Sequence, residues 1–144
     1  MIEIEDSVII KKPVDRVFEF ATDLKNNAKW QSDILVAEQT SDGRFGVGAT
    51  YRCINRFLGK RIESEGVISD FEPYKICSFR FSSGSVSGES SYLFQPVNGY
   101  TRFTTVGSIK LNNFKLAGLL VKRKARQQVR NDLQKLKHVL ENRR

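Results

Sequence analysis

The sequence predicts an α+β fold, in which a seven-stranded curled antiparallel sheet surrounds one long C-terminal helix in the order β-α-α-β6-α. Three observations support this prediction. An alternating apolar strand opens the chain and is followed by a helix that begins at Pro13. Residues 34–111 then follow a two-residue period interrupted by turn signals, and the remaining residues carry one apolar helical stripe.

Length and composition favour a single globular domain over residues 1–144. Hydrophobic residues make up 40% and charged residues 28% of the chain, and neither a linker-like segment nor an internal repeat interrupts it. The longest apolar run, Leu116–Val121, is far shorter than a membrane span, and three of the first six residues are acidic where a secretory signal would be basic. We therefore expect a cytoplasmic protein.

The N-terminal elements are predicted from local signals. Strand alternation places Ile2, Ile4, Val8 and Ile10 on one face. Proline suits the first turn of a helix because its missing N–H would lack a partner there, so Pro13 starts the next element. That helix carries an apolar stripe at positions i, i+3, i+4 and i+7, formed by Val14, Val17, Phe18 and Ala21. Asp23 is the expected N-cap of a second short helix that ends near Trp30, the only tryptophan.

Six further strands follow, separated by turn-forming residues. The breaks fall at Asp42-Gly43, Leu58-Gly59, Pro73, Ser83-Gly84 and Asn98-Gly99. The predicted strands cover residues 33–41, 47–58, 60–72, 75–83, 86–97 and 100–111. Because most connections have hairpin length, the strands should form an antiparallel meander.

The C-terminal segment is predicted as one helix that starts after Asn112-Asn113 and ends near Glu141. Its apolar stripe consists of Phe114, Gly118, Val121, Ala125, Val129, Leu133, Leu136, Val139 and Leu140. Four basic residues lie nearly opposite: Arg123, Arg126, Arg130 and Lys137. Residues 110–144 contain eleven basic and two acidic residues, a charge of +9, whereas the rest of the chain, thirteen basic and fourteen acidic, carries −1. The net charge of +8 therefore belongs to this helix.

A sheet curled around one helical stripe leaves an interior gap, so we expect an enclosed, mostly apolar pocket of a few hundred cubic ångströms or more. Strand parity and the position of the tryptophan predict the residues that line it and bind the ligand. They are Trp30, Tyr51, Asn55, Phe57, Phe79, Phe81, Tyr92, Phe94, Phe103 and Thr105. The alternative for each aromatic is that it only fills the core, as most buried aromatics do.

The ordered motifs of this chain resemble the START-like, or SRPBCC, helix-grip superfamily, and the polyketide cyclases and dehydrases in particular. The resemblance rests on Val17-Phe18, Asp23, Trp30, the segments 46–51, 67–73 and 92–96, Thr101-Arg102, and then Leu133, Leu136, Leu140 and Glu141. It covers nearly the whole chain and implies a sheet that grips the C-terminal helix around a hydrophobic cavity. It does not imply one activity, since members bind, carry or transform different molecules.

The expected function is therefore binding of a hydrophobic small molecule that is lipid-like or polyketide-like, in an internal cavity, with transport of that molecule as an open option. The alternative is a cyclase, aromatase or dehydratase that needs neither a metal nor another cofactor. Family cyclases position enol and phenol oxygens with polar side chains, and Tyr51, Asn55, Tyr92 and Thr105 could do so here, but no residue is assigned as catalytic.

The single histidine, His138, falls towards the solvent side of the helix, and the acidic residues fall mostly at outward positions or in loops. Cys53 and Cys77 are expected to be reduced core residues, not a disulfide or a metal site.

The basic helix face has three interpretations. A solvated face is the simplest, because any surface helix shows charges opposite its apolar stripe. Weak attraction of Arg123, Arg126, Arg130 and Lys137 to anionic membrane surfaces is the second. Association with nucleic acid or the ribosome is the third, and it is not favoured because exposed aromatic residues are not interleaved with the basic ones.

Overall fold

The computed structural model describes residues 1–57, 59–84, 86–111 and 118–143. For Phe57, Gly118 and Leu119 it describes the backbone alone. The predicted order of elements is confirmed. The strands are β1 (Ile2–Ile10), β2 (Ile34–Gln39), β3 (Thr50–Phe57), β4 (Lys60–Glu72), β5 (Ile76–Ser82), β6 (Val86–Val97) and β7 (Tyr100–Leu111). The helices are α1 (Val14–Thr22), α2 (Asn27–Trp30), which follows a 3-10 turn at Leu24–Asn26, and α3 (Gly118–Glu141).

The seven strands form one antiparallel sheet in the order β1-β7-β6-β5-β4-β3-β2. Strands β2 to β7 are a meander, and β1 joins the free side of β7, where Ile2 is opposite Ile109 and Ile10 is opposite Thr101. From β3 to β7, consecutive strands pair because short hairpins connect them, whereas residues 40–49 form a longer loop between β2 and β3. The Asn98-Gly99 hairpin shows the reason locally: both residues have positive φ, 51° and 83°, as a two-residue hairpin turn of the primed type requires.

The capping signals near the N-terminus have the predicted effect. Pro13 is extended and immediately precedes α1, and Asp23 accepts a hydrogen bond from the Lys25 amide at 3.1 Å.

Strand β3 begins three residues later than predicted. Gly48 has φ 90°, and the Ala49 amide donates to the Gly46 carbonyl, so the chain makes a turn before it enters the sheet.

The core divides into three clusters. The largest packs α1, Trp30 and the C-terminal half of α3 against the ends of β6 and β7, and Phe103 and Leu136 are fully buried at its centre. A second cluster lies on the inner face of β3, β4 and β5 around Ile68. The third joins Val121 and Ala125 of α3 to β1. Helix α3 thus packs chiefly on β1 and α2, and it leaves the inner face of the central strands only partly covered.

The apolar stripe of α3 is buried as predicted over the described residues. Val121, Ala125, Leu133, Leu136 and Leu140 are buried, while Val129 and Val139 are half-buried. The predicted cap pair Asn112-Asn113 and Phe114 lie outside the described residues, and the burial of Gly118 is outside them too. None of the described helices is both long enough and apolar enough to cross a membrane.

The basic face of α3 is less uniform than predicted. Arg123 and Arg126 are exposed, and Arg130 lies 3.5 Å from the carboxylate of Asp6. The prediction that Lys137 faces solvent is wrong. Its ammonium donates to the Ile9 carbonyl at 2.6 Å and to Glu141 at 2.7 Å, because its long aliphatic chain lets the charged end reach the end of β1. Lys137 therefore ties the helix end to the sheet.

Candidate functional site

A cavity of about 270 Å³ lies between the inner face of the sheet and α3. Its walls include members of all three core clusters, such as Tyr92, Ile68 and Ala125, so it is the gap where the clusters fail to meet. The volume is close to the lower end of the range for small-ligand pockets. The cavity is partly open to solvent, whereas an enclosed one was expected. Among the described residues, α3 packs chiefly on β1 and α2.

Most of the residues predicted to line the cavity do so. Tyr51, Asn55, Phe79, Phe81, Tyr92 and Thr105 lie in its wall. They come from four different strands, and strand parity directs them to the same face of the sheet. The side chain of Phe57 lies outside the described part of the structure.

Three predicted lining residues, Trp30, Phe94 and Phe103, do not contribute to the cavity wall. They are buried in the largest core cluster, where the rings of Phe94 and Phe103 lie 5.2 Å apart between centroids. Phe94 also contacts Phe18 of α1, with ring centroids 4.9 Å apart. Parity correctly predicts the inner face for both strand residues, but α1 and the C-terminal half of α3 cover that end of the sheet. The prediction that these three residues line the cavity is therefore wrong.

Two glycines create room for the aromatic rings in the cavity wall. Gly66 pairs with Tyr51 on one side and with Phe81 on the other, and Phe81 in turn pairs with Gly88. A Cβ at Gly66 would collide with the Tyr51 ring, and one at Gly88 would collide with the Ser108 carbonyl and lie 2.9 Å from Phe81. The rings therefore lie across glycine backbone, a cross-strand arrangement that sequence parity alone does not reveal.

One end of the cavity is polar. The Asp132 carboxylate of α3 accepts hydrogen bonds at 3.2 Å from both the amide and the hydroxyl of Ser32. The Asp33 carboxylate accepts from the Asn55 amide group at 3.5 Å, and Gln128 also bonds to it. All of these except Ser32 lie in the cavity wall, together with Gln31, whose amide group donates to the Tyr92 hydroxyl at 2.7 Å.

The apolar surroundings alter the proton affinities of these groups. Burial raises the pKa of Asp132 from 3.8 to about 6; the hydrogen bonds from Ser32 and the charge of Lys135 lower it, and nearby Asp33 raises it. Burial also raises the pKa of Asp33, although bonds from Gln128, its own amide and Asn55 oppose this. The same cause raises the pKa of Cys53 to about 11 and of Cys77 to about 12. Both cysteines are buried and free, as predicted, so they are neutral wall residues near neutral pH.

Sequence reasoning missed the acidic pair that Asp33 and Asp132 form in the cavity wall, since it placed the acidic residues mostly outside. A signal existed for Asp132, which follows Val129 by three residues and precedes Leu136 by four, so it belongs to the buried side of the helix. No local signal marks Asp33, which lies between α2 and β2 and which only the tertiary fold places in the same cavity wall as Asp132. His138 is exposed, as predicted.

The raised pKa of Asp132 predicts a pH-dependent stability. The folded protein holds this proton more tightly than the unfolded chain, so its stability should fall as pH rises from about 4 to about 6 and stay low above that. Asp132→Asn keeps an oxygen acceptor for Ser32 and removes the charge. We expect it to stabilise the fold by roughly 1–3 kcal/mol at pH 7.5 and by much less at pH 4, measured by urea unfolding.

The matched control is Asp42→Asn, because Asp42 is an exposed aspartate in the loop between β2 and β3. It should change the stability by less than about 0.5 kcal/mol at either pH. An Asp132→Asn effect of the same size at pH 4 and pH 7.5 would show that Asp132 does not titrate between them.

The described residues contain no cluster of three or more His, Cys, Asp or Glu side chains that could hold a metal ion. The chemical groups that the cavity offers include carboxyls, amides, hydroxyls, neutral thiols and aromatic faces. Such a set can bind and orient an apolar molecule with a polar end, and two neighbouring carboxyls can also transfer protons.

Residues 1–141 match the family model described as polyketide cyclase / dehydrase and lipid transport. No functionally curated protein matches the chain. Among solved structures, a START superfamily protein from Mycobacterium smegmatis is similar with a TM-score of 0.85 at 11% identity, over 98% of each chain. The Zhui aromatase/cyclase from a Streptomyces species has a TM-score of 0.71 at 18% identity, over 98% of this chain and 94% of that one. A protein from Thermus thermophilus has a TM-score of 0.78 at 21% identity, over 96% of each chain. At identities this low, the structural similarity establishes a shared fold.

Proposed function

The chain belongs to the polyketide cyclase / dehydrase and lipid transport family, and we propose that it binds an apolar small molecule in the cavity between sheet and helix. The START-like, helix-grip assignment made from the sequence is confirmed by this membership and by the fold. The ligand that we propose is lipid-like or polyketide-like, because the family model is described as polyketide cyclase / dehydrase and lipid transport.

The observation that carries the proposal is the cavity itself. Its wall combines apolar groups such as Ile68, Phe79 and Phe81 with a polar end around Asp33 and Asp132. Well-packed cores leave few voids larger than a water molecule, because each void forfeits packing energy. A gap of about 270 Å³ in a 144-residue protein therefore favours a site that a ligand fills.

A cavity-filling variant tests the proposal. Val129 is half-buried on α3 and lies in the cavity wall, so Val129→Phe should occupy part of the space. We expect 2-naphthol, a planar apolar probe, to bind the unaltered protein in a fluorescence titration. The variant should bind it at least about tenfold more weakly, because the added ring takes the place of the probe.

Val47→Phe is the control, since Val47 is 67% exposed and is not part of the cavity wall. It introduces the same ring and should leave the affinity unchanged. Thermal melting of both variants establishes that they are folded. Equal affinity of the Val129→Phe variant and the unaltered protein, or no binding to either, would contradict the proposal.

Enzymatic action on such a ligand is a second candidate, favoured by the neighbouring carboxyls of Asp33 and Asp132. In the dehydration of a β-hydroxy ketone, one carboxylate accepts the proton from the carbon beside the carbonyl. The other carboxyl, protonated, donates its proton to the departing hydroxyl, so that a conjugated C=C bond forms and water leaves. Burial raises the pKa of both carboxyls, that of Asp132 to about 6, so the pair can hold the proton that this step requires near pH 6.

Turnover of 4-hydroxy-4-phenylbutan-2-one, followed by the ultraviolet absorbance of its enone product, tests this candidate. Activity that Asp33→Asn and Asp132→Asn each reduce at least about a hundredfold would support it. His138→Ala, an exposed substitution, should not change the rate. Turnover that survives both cavity variants would contradict an acid–base role of the pair.

Three expectations from the sequence stay predictions. They are a single domain over residues 1–144, a cytoplasmic location, and weak contact of the basic helix face with anionic membrane surfaces. Of the four residues that form this face, Lys137 is held by Ile9 and Glu141, so Arg123 and Arg126 are the best placed to make that contact. Nucleic acid remains the less favoured partner of this face.

A further inference from the structure

The charge of the cavity wall is opposite to that of the whole protein. The chain carries a net charge of +8, yet the charged side chains among the described residues of the wall are all acidic: Asp33, Glu89 and Asp132. Glu89 is exposed and lies 3.9 Å from Arg80, so it has a cationic partner. The pair at the polar end is different, because neither Asp33 nor Asp132 forms an ion pair with any of the described residues.

The hydrogen bonds that the described residues donate to Asp33 and Asp132 leave carboxylate oxygens able to accept further hydrogen bonds. Every hydrogen bond that the described residues donate to the Asp132 side chain goes to Oδ1, from Ser32. The side-chain bonds to Asp33 come from neutral amide groups, those of Asn55 and Gln128. Two cations among the described residues lie at the margin: Lys135 acts on Asp132 through its charge, and Lys124 lines an adjoining groove with Asp33. Two neighbouring carboxyls therefore share a site in which the countercharge is incomplete.

The side-chain oxygen of Asn27, another residue of the cavity wall, has no hydrogen-bond partner among the described residues, but it is shielded from water-sized probes and therefore does not face the cavity. The charged acceptors that the polar end offers to a ligand are the carboxylates of Asp33 and Asp132.

We propose that the cavity binds an apolar amine, with its protonated nitrogen at the polar end beside Asp33 and Asp132 and its hydrocarbon part against Ile68, Phe79 and Phe81. This inference rests on the proposed binding function and names its ligand class. An ammonium group has three donors and no acceptor, which matches a set of acceptors that includes carboxylates. It also supplies the missing countercharge inside an apolar wall, where an ion pair is stronger than in water.

The same reasoning disfavours the other head groups. A carboxylate ligand would meet like charge at the polar end, and the described wall holds neither lysine, arginine nor histidine to bind it. A neutral alcohol could donate only one hydrogen bond and would leave the acidic pair without countercharge. A charged nitrogen is the head group that satisfies the most groups at once.

Three probes with the same eight-carbon chain separate these possibilities: octylamine, 1-octanol and octanoate, titrated by isothermal calorimetry at pH 7.5. We expect octylamine to bind about tenfold or more tightly than 1-octanol, and octanoate to bind more weakly than either. Between pH 7.5 and pH 5 the octylamine affinity should fall, because Asp132 takes up a proton near pH 6, while the octanol affinity should not change.

Variants assign the preference to the acidic pair. Asp33→Asn and Asp132→Asn should each remove most of the preference for octylamine over 1-octanol and leave 1-octanol binding intact, which also demonstrates a folded cavity. Asp42→Asn at the surface should leave the preference unchanged. If 1-octanol or octanoate binds at least as tightly as octylamine, the amine proposal is overturned and the binding function stands. If none of the three binds, both fail.

Discussion

Leu133→Asp is expected to unfold the protein at room temperature. Leu133 is 2% exposed within the largest core cluster, where α1, Trp30 and the strands converge on α3. The substitution removes buried apolar surface and adds a carboxylate that no cation among the described residues of this cluster can pair with. The two effects together cost about 5 kcal/mol or more, which reaches the lower part of the usual stability range of about 5–15 kcal/mol. Circular dichroism and thermal melting measure the loss directly.

Arg126→Ala is the control on the same helix. Arg126 is exposed and forms no ion pair with any described residue, so its removal should change the free energy of unfolding by no more than about 0.5 kcal/mol. Comparable losses for Leu133→Asp and Arg126→Ala would contradict the orientation of α3 about its axis.

Gly88→Ala is the second substitution with a large expected effect. A Cβ at this position would collide with the Ser108 carbonyl oxygen of the neighbouring strand and lie 2.9 Å from the Phe81 ring. The ring can turn aside, but the carbonyl belongs to a backbone that pairs β6 with β7. Relief therefore requires the sheet to shift, and we expect a loss of roughly 2–3 kcal/mol and a melting temperature lowered by roughly 5–15 °C.

Gly46→Ala is the matched control for Gly88→Ala. A Cβ at Gly46 would have no heavy atom within 4 Å and the residue lacks a positive φ, so an alanine there meets neither a clash nor backbone strain. We expect the melting temperature to stay within about 2 °C of the original or to rise slightly, because alanine restricts the unfolded chain. A Gly88→Ala protein as stable as this control would mean that β6 and β7 are further apart at Gly88.

Local sequence patterns determined the elements and the face that each residue occupies. The two-residue period placed Tyr51, Phe79 and Tyr92 on the inner face of the sheet, and the helical period placed Leu133 and Leu136 in the core. Turn signals such as Asn98-Gly99 determined the connections. These properties depend on residues a few positions apart, so a sequence pattern is enough to predict them.

The position of a residue along the inner face depended on tertiary packing. Phe94 and Phe79 share an inward parity, but α1 covers Phe94 and leaves Phe79 in the cavity wall. Lys137 illustrates the same limit on the helix, since its contact with the Ile9 carbonyl spans 128 positions. Periodicity states which way a side chain points, whereas its neighbours depend on how distant elements meet.

The sequence by itself therefore determined the family, the order of elements and the presence of an aromatic inner face. The tertiary structure alone decided where the cavity lies and that Asp33 and Asp132 both lie at its polar end. These two residues are separated by most of the chain, and each is ordinary in its local pattern. Their raised pKa values arise from burial between α2, β3 and α3, a property of the assembled fold that no segment has before the elements pack.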